Sequence, residues 1–230
     1  RIKEGLKQGN VVYDACNINY KKRRAFLQKL NKMVVEKIAV LVATPYEECL
    51  ERNALRERKV PEEVIKRMYY SFYIPQKYEG FDDIQIRYNY NSVDSLFLIS
   101  ELTDMPQDNP HHTLSVLDHC IMVDCILEKT NKHISTVRVA GILHDIGTFV
   151  NMKGEKTDVA HYYNHEKVSA YDSLFYVYIE SRVQNNNVKE ALYILNLIQW
   201  HMILHFDLQE KTITKYRNML GEDTWKDLEL

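Results

Sequence analysis

The chain has 230 residues, 45% of them hydrophobic and 27% charged, with a formal net charge of −2. Such a composition excludes a disordered or fibrous protein, and no apolar run approaches the ~18–20 residues that a membrane-spanning helix needs. The near-neutral total hides an asymmetry: residues 1–90 carry 18 Lys and Arg against 12 Asp and Glu, whereas residues 91–230 carry 12 against 20. A basic part suited to phosphates and an acidic part suited to cations suggest two modules. Their boundary is expected near residue 91, within a transitional stretch that includes a helical segment at 95–102 and a loop at 105–110.

In chain order, the first residues read as the middle of a helix, which raises the expectation of further sequence before Arg1. Residues 10–14 (N-V-V-Y-D) are short, apolar and β-branched, and predict a buried strand ending in Asp14. A basic helix is expected over about 20–33, with Lys21, Lys22, Arg23 and Arg24 on a solvated face. A second apolar run at 37–44 predicts a strand. Pro45 and Pro61 each suit the first turn of a helix, and alternation over 84–88 predicts a last strand. This order implies a parallel sheet with crossover helices, whose ligands would sit at the carboxyl ends of the strands. Arg52 and Arg56 are four residues apart and would share a helix face. They fit oxyanion binding, although the spacing alone favours a solvated face paired with Glu48 and Glu51.

From about residue 113 the pattern is helical almost to the end. An apolar stripe containing His119 is followed by a helix over about 133–145 that ends in His144-Asp145, with Gly147 as its expected stop. Further helices are expected at about 165–182, 188–205 and from 212–214 onward. Imidazole and carboxylate are both ligands of first-row metals. Three successive helices would bring His119, His144-Asp145 and His165 to one level of a bundle. His111, His133 and His161 read as loop or surface residues, whereas His201 and His205, four apart, could form a metal clamp, with a surface position for His205 as the equal alternative. Cys16, Cys49, Cys120 and Cys125 form no C-x-x-C pair, which points to reduced thiols, a cytoplasmic location and no structural zinc.

Two resemblances rest on these residues. D-A-C-N at 14–17, E-E-C-L-E-R-N-A-L-R at 47–56, V-P-E-E-V-I at 60–65 and P-Q-K-Y-E-G-F-D at 75–82 resemble the distal half of phage-type polynucleotide kinases, which are P-loop phosphotransferases. The resemblance implies a partial P-loop-kinase-like sheet over 1–90. Asp14 would lie near the acceptor site, with Arg52 and Arg56 in a lid over the nucleotide phosphates. The G-x-x-x-x-G-K-[ST] loop of that family is nowhere in the sequence. ATP with Mg²⁺ is therefore expected as a cofactor only if a missing P-loop segment is present.

N-P-H-H-T-L-S-V-L-D-H at 109–119, G-I-L-H-D-I-G at 141–147 and Y-Y-N-H-E-K-V-S-A at 162–170 resemble the HD superfamily of metal-dependent phosphohydrolases. This implies an all-helical bundle over 91–230, so the whole chain is expected to be α/β plus all-α and mostly helical. It also implies a divalent cofactor (Mn, Ni, Zn, Mg or Fe) held by His119, His144, Asp145, His165 and His201. Asp145 and His165 would serve in catalysis, and His112, Thr148 and Lys153 would meet substrate phosphate. Thr148 stands where the family often has Lys, which Lys153, Lys156 or Lys167 would have to replace. The family's last Asp ligand is expected beyond residue 230, with Asp223 and Asp227 as less favoured substitutes. The implied substrate is a phosphorylated nucleic-acid end, RNA favoured, or a free nucleotide, with no membrane partner. A non-catalytic RNA-binding or assembly module with degenerate sites is the reading from a different class.

Overall fold

The computed structural model describes residues 1–90, 114–129, 135–147, 162–183 and 188–230. After a short helix α1 (Ile2–Gly5), residues 10–14 are extended but form no strand, with Val12 91% exposed. The expected buried strand ending in Asp14 is thus overturned. An extended segment becomes a strand only by pairing, and the described sheet has two members, β1 (Ile38–Ala43) and β2 (Asp83–Tyr88), paired in parallel with Ile38 opposite Asp83 and Ala43 opposite Tyr88. The crossover runs through α3 (Tyr46–Ala54) and α4 (Glu62–Tyr70), as the prolines predict. Ala39, Leu41 and Ala43 are buried, whereas Ile38, Val40 and Val42 on the opposite face are 44%, 56% and 55% exposed.

Helix α2 (Tyr20–Gln28) is shorter than expected and is capped by Asn19, whose side chain accepts from the Lys21 and Lys22 amides. Its basic run is not wholly solvated. Arg23 is buried and makes a two-pronged bond to buried Glu79, with both N–O distances 2.7 Å. Arg23 Nη1 also donates to Asn17 O, so the pair ties α2, the preceding loop and the 74–79 segment together.

The remaining chain is helical: α5 (Val116–Lys129), α6 (Ser135–Leu143), α7 (His165–Val183), α8 (Val188–Trp200), α9 (Glu210–Leu220) and α10 (Glu222–Leu228). Ser115 starts α5. Its hydroxyl accepts from the Asp118 amide and donates to the Asp118 carboxylate, a local arrangement that satisfies amides a helix start leaves unpaired. From Ala191 to Trp200, all but Tyr193 are buried, which makes α8 the central helix. The expected helix over 188–205 becomes a 3-10 turn at His201–His205. Among the described residues no helix is long and apolar enough to cross a membrane. The helix expected at 95–102 and the loop expected at 105–110 lie outside the described residues.

The two compositional halves are packed against each other. The buried sheet face, Tyr69 and Ile74 belong to the same apolar cluster as Val168, Tyr171, Leu174 and Leu195. Tyr69 lies between the halves. Its ring stacks on Tyr46 at 4.6 Å and its hydroxyl donates to Asp172 at 2.5–2.6 Å. Burial pushes the Asp172 carboxyl up to about 7.

Two outcomes are expected. Glu79→Ala strands the buried Arg23 charge and should lower the unfolding free energy by about 3–5 kcal/mol, measurable by urea denaturation. For Asp172 the folded pKa lies above the unfolded value of ~3.9. Its contribution is therefore most favourable below that value and is lost as pH rises through about 7. Asp172→Asn keeps an acceptor for Tyr69 without the charge, so it should raise the melting temperature at pH 8 and leave it little changed at pH 4.

Candidate metal centre

His144 and Asp145 lie just beyond the end of α6, in a turn over 144–147. Gly147 does not stop the helix in a left-handed conformation, as expected. The helix has already ended at Leu143, and Gly147 is not among the glycines with positive φ. Its role is close approach. A Cβ there would lie 2.5 Å from the Ser169 amide nitrogen and 2.8 Å from His165 O. The Gly147 amide donates to Ser169 Oγ at 2.9 Å, which fastens the turn to the first turns of α7.

This turn delivers the Asp145 carboxylate, 6% exposed, into the middle of four imidazoles. Asp145 Oδ2 is 3.6 Å from His119 Nε2 and 3.4 Å from His144 Nε2. Asp145 Oδ1 is 3.2 Å from His165 Nε2 and 3.6 Å from His201 Nε2. Each carboxylate oxygen therefore faces one histidine pair. Within the pairs, the Nε2 atoms are 3.1 Å apart for His119 and His144 and 3.0 Å apart for His165 and His201.

The other ring nitrogens set the tautomers. Nδ1 of His144, His165 and His201 lies 2.7, 2.8 and 2.7 Å from the carbonyl oxygens of Gly141, Tyr162 and Ile198. A carbonyl only accepts, so each Nδ1 carries the proton and each Nε2 of the neutral ring carries a lone pair. The lone pairs of His165 and His201 then point at each other and at Asp145 Oδ1. Such a set of electron-rich atoms calls for a cation between them. Two groups have the ligand atoms within 4.8 Å of one another: His119, His144 and Asp145, and Asp145, His165 and His201.

The electrostatics follow from this crowding. Burial opposes the Asp145 charge, but the neighbouring His144 and His165 hold its carboxyl well below the usual range. Burial likewise opposes a charge on His165, yet its hydrogen bond and proximity to Asp145 raise it. Burial and the charges of neighbouring histidines push His201 down to about 3. Cys120, fully buried behind Asp145, is pushed up to about 12 by burial and by the Asp145 charge, so it stays a neutral thiol rather than a ligand.

A cavity of about 440 Å³ opens from the histidines. Val123, Leu127, Val137 and Leu197 form apolar walls, and Asp227 and Leu228 of α10 form another side. His205 and Met202 also line it. Asp227 accepts from Tyr193 Oη at 2.5 Å and is not in either metal-capable group, while Asp223 is exposed.

The other sequence candidates fall elsewhere. His112, Thr148 and Lys153 lie outside the described residues. Lys167 is drawn to Glu166, 3.2 Å away, to Asn164, and to the face of the Tyr73 ring. Asp14 is exposed on its unpaired segment. Arg52 and Arg56 do not share a helix face, because α3 ends at Ala54. Arg52 is paired with Glu48 at 2.6 Å and also reaches Asn89. Tyr162, Gly141 and Ile198, which orient the rings or line the cavity, were not singled out from sequence. They act through backbone carbonyls, which every residue type has.

A family model described as an HD domain matches residues 111–217, and one described as an AAA domain matches residues 2–75. No curated protein and no solved structure matched the chain. The two matches fall in the order that the motifs predict, the AAA-domain match first and the HD-domain match second.

Proposed function

We propose that the protein is a metal-dependent phosphohydrolase that removes phosphate from nucleic-acid ends, RNA favoured, or from nucleotides. The observation that supports this reading most directly is the Asp145 carboxylate, with each oxygen set against a pair of histidine Nε2 atoms. His119, His144 and Asp145 would hold one divalent ion; His165, His201 and the same Asp145 would hold a second, with Mn²⁺, Ni²⁺, Zn²⁺, Mg²⁺ or Fe²⁺ as candidates. When bound, such ions supply an acidified water as nucleophile and neutralise phosphoryl charge.

The chain's own residues prepare the site for this task. Asp145 remains ionised. The three carbonyls of Gly141, Tyr162 and Ile198 hold the rings in the ligand-ready tautomer. His112, Thr148 and Lys153 would steady the substrate phosphate. Transfer of phosphate from ATP is not expected of these 230 residues, whose sequence lacks a phosphate-cradling P-loop motif. Pairing a 5′-kinase-like part with a phosphohydrolase suits the repair of broken RNA, which needs a 5′-phosphate added and a 3′-phosphate or cyclic phosphate removed. The cavity favours a second reading, hydrolysis of free nucleotides. Its size falls in the ~300–1,000 Å³ range of small-molecule sites, and it sets apolar walls beside the polar histidine centre.

Metal analysis followed by phosphatase assays on 3′-phosphorylated RNA and on mononucleotides tests both readings. A metal-free protein inactive on both substrates would instead favour a non-catalytic binding module. Asp145→Asn should lower turnover by on the order of 10²–10³-fold, the usual loss when a preorganised charge contact is removed, and should lower bound metal while the circular dichroism stays native. Metal binding needs neutral imidazoles. Because His165 is raised above its ordinary value of ~6.5, protons compete there: affinity should be constant at high pH and fall by about tenfold per unit as pH drops through that raised value. Mn²⁺ calorimetry at pH 8 and pH 5.5 checks the sign.

A further inference from the structure

The two halves of the histidine centre are supported differently. His119 and His144-Asp145 are carried by α5, α6 and the turn after α6. Helix α5 packs on α6, and α6 packs on α8. Arg138 on α6 grips Asp124 on α5 through two bonds of 2.7 and 2.9 Å. His201, by contrast, follows directly on two residues that the kinase-like part holds.

Gln199, 2% exposed, accepts through Oε1 from the backbone amide of Ile74 at 2.7 Å. Trp200 donates from Nε1 to Tyr78 Oη at 3.1 Å, and its ring meets Tyr20 edge-on at 5.7 Å. One helical turn earlier, Tyr78 Oη lies 3.4 Å from Asn196 Oδ1. Gln76 Nε2 donates to Leu192 O at 3.0 Å. The 74–79 segment is itself fixed, since Glu79 accepts from the Gln76 amide and from Arg23. These bonds surround the place where α8 gives way to a 3-10 turn: Trp200 has φ −115° and ψ 2°. That change of winding sets the direction of the next side chain, His201. A regular helix would turn the residue after Trp200 by ~100° from its neighbour, on a fixed spiral. Here the departure from helical backbone coincides with two side chains pinned from outside the bundle.

We propose that Gln199 and Tyr78 are positioning residues through which the kinase-like part sets the His165–His201 half of the centre, leaving the His119–His144 half independent. The kinase-like part thereby serves the hydrolytic site as a brace. The proposal rests on the two-ion reading above and adds to it a direction of dependence.

The test is Mn²⁺ binding, by calorimetry, to the full chain and to three variants. Gln199→Leu removes the acceptor of the Ile74 amide. Gln199→Glu restores an oxygen at the same place, and Gln199 Nε2 has no hydrogen-bond partner among the described residues that the change would break. Tyr78→Phe removes only a hydroxyl and protects the test against a variant that fails to fold. Wild type should bind two ions. Gln199→Leu and Tyr78→Phe should weaken one of them by about 10–100-fold, the cost usual for losing support behind a metal ligand, and leave the other unchanged, while Gln199→Glu keeps both. In the metal-free protein, the ring signals of His165 and His201 should shift in Gln199→Leu and those of His119 and His144 should not. Equal weakening of both ions, or of neither, overturns the proposal alone. Fewer than two ions on the wild type removes the two-ion reading and the proposal with it.

Discussion

A single buried carboxylate sets the terms for the helical half of this protein. Asp145 sits at the convergence of four imidazoles, each close enough to feel its charge. An ionised carboxylate in that position is tolerable only if positive charge surrounds it. Asp145 raises His165, which answers that need in part, and the backbone carbonyls at Gly141, Tyr162 and Ile198 fix the ring planes of His144, His165 and His201 around the carboxylate.

Holding four histidines from separate elements on one carboxylate requires backbone precision. Gly147 provides it on one side by letting the 144–147 turn touch the α7 backbone, where any side chain would push His165 away. On the other side, the nearly all-buried α8 places His201 just beyond its last α-helical residue. A helix buried on nearly all sides resists rotation, because any turn exposes packed surface to mismatch. The site is thus built on rigid elements and their ends, and it opens into the cavity bounded by α5, α6, α8 and α10.

Much of this arrangement is written in local patterns. His119, His144, Asp145 and His165 could be singled out because successive helices carry them, and His201 through the HD-superfamily resemblance, and they do converge. β1, β2 and the two crossover helices follow from apolar runs bounded by prolines. The failures have a common cause: they depend on partners distant in sequence. Residues 10–14 look like a strand, but strand formation needs a neighbour, and none is paired to them among the described residues. Arg23 looks solvated within a basic run until Glu79, 56 residues away, claims it. Gly147 looks like a helix stop until α7 arrives against it. Tyr78 lies within the 75–82 motif and Gln199 within none of those quoted, but their relation to His201 exists only in three dimensions.

Arg52 shows why the kinase-like part is better understood through packing than through its motif. A guanidinium that is to clamp a nucleotide phosphate must be able to leave its resting partner. Glu48, its partner, has a side chain only 3% exposed. Releasing Arg52 would break a 2.6 Å ion pair with a buried carboxylate, a change that costs several kcal/mol when such pairs are broken. A phosphate contact would have to offset that loss before it gained anything. The Arg52–Glu48 bond also reaches the Asn89 backbone at the end of β2, so it fastens α3 to the sheet whose buried face supports α7 and α8. In this arrangement the arginine that the kinase resemblance assigns to nucleotide phosphates is committed to holding the scaffold on which the histidine centre stands.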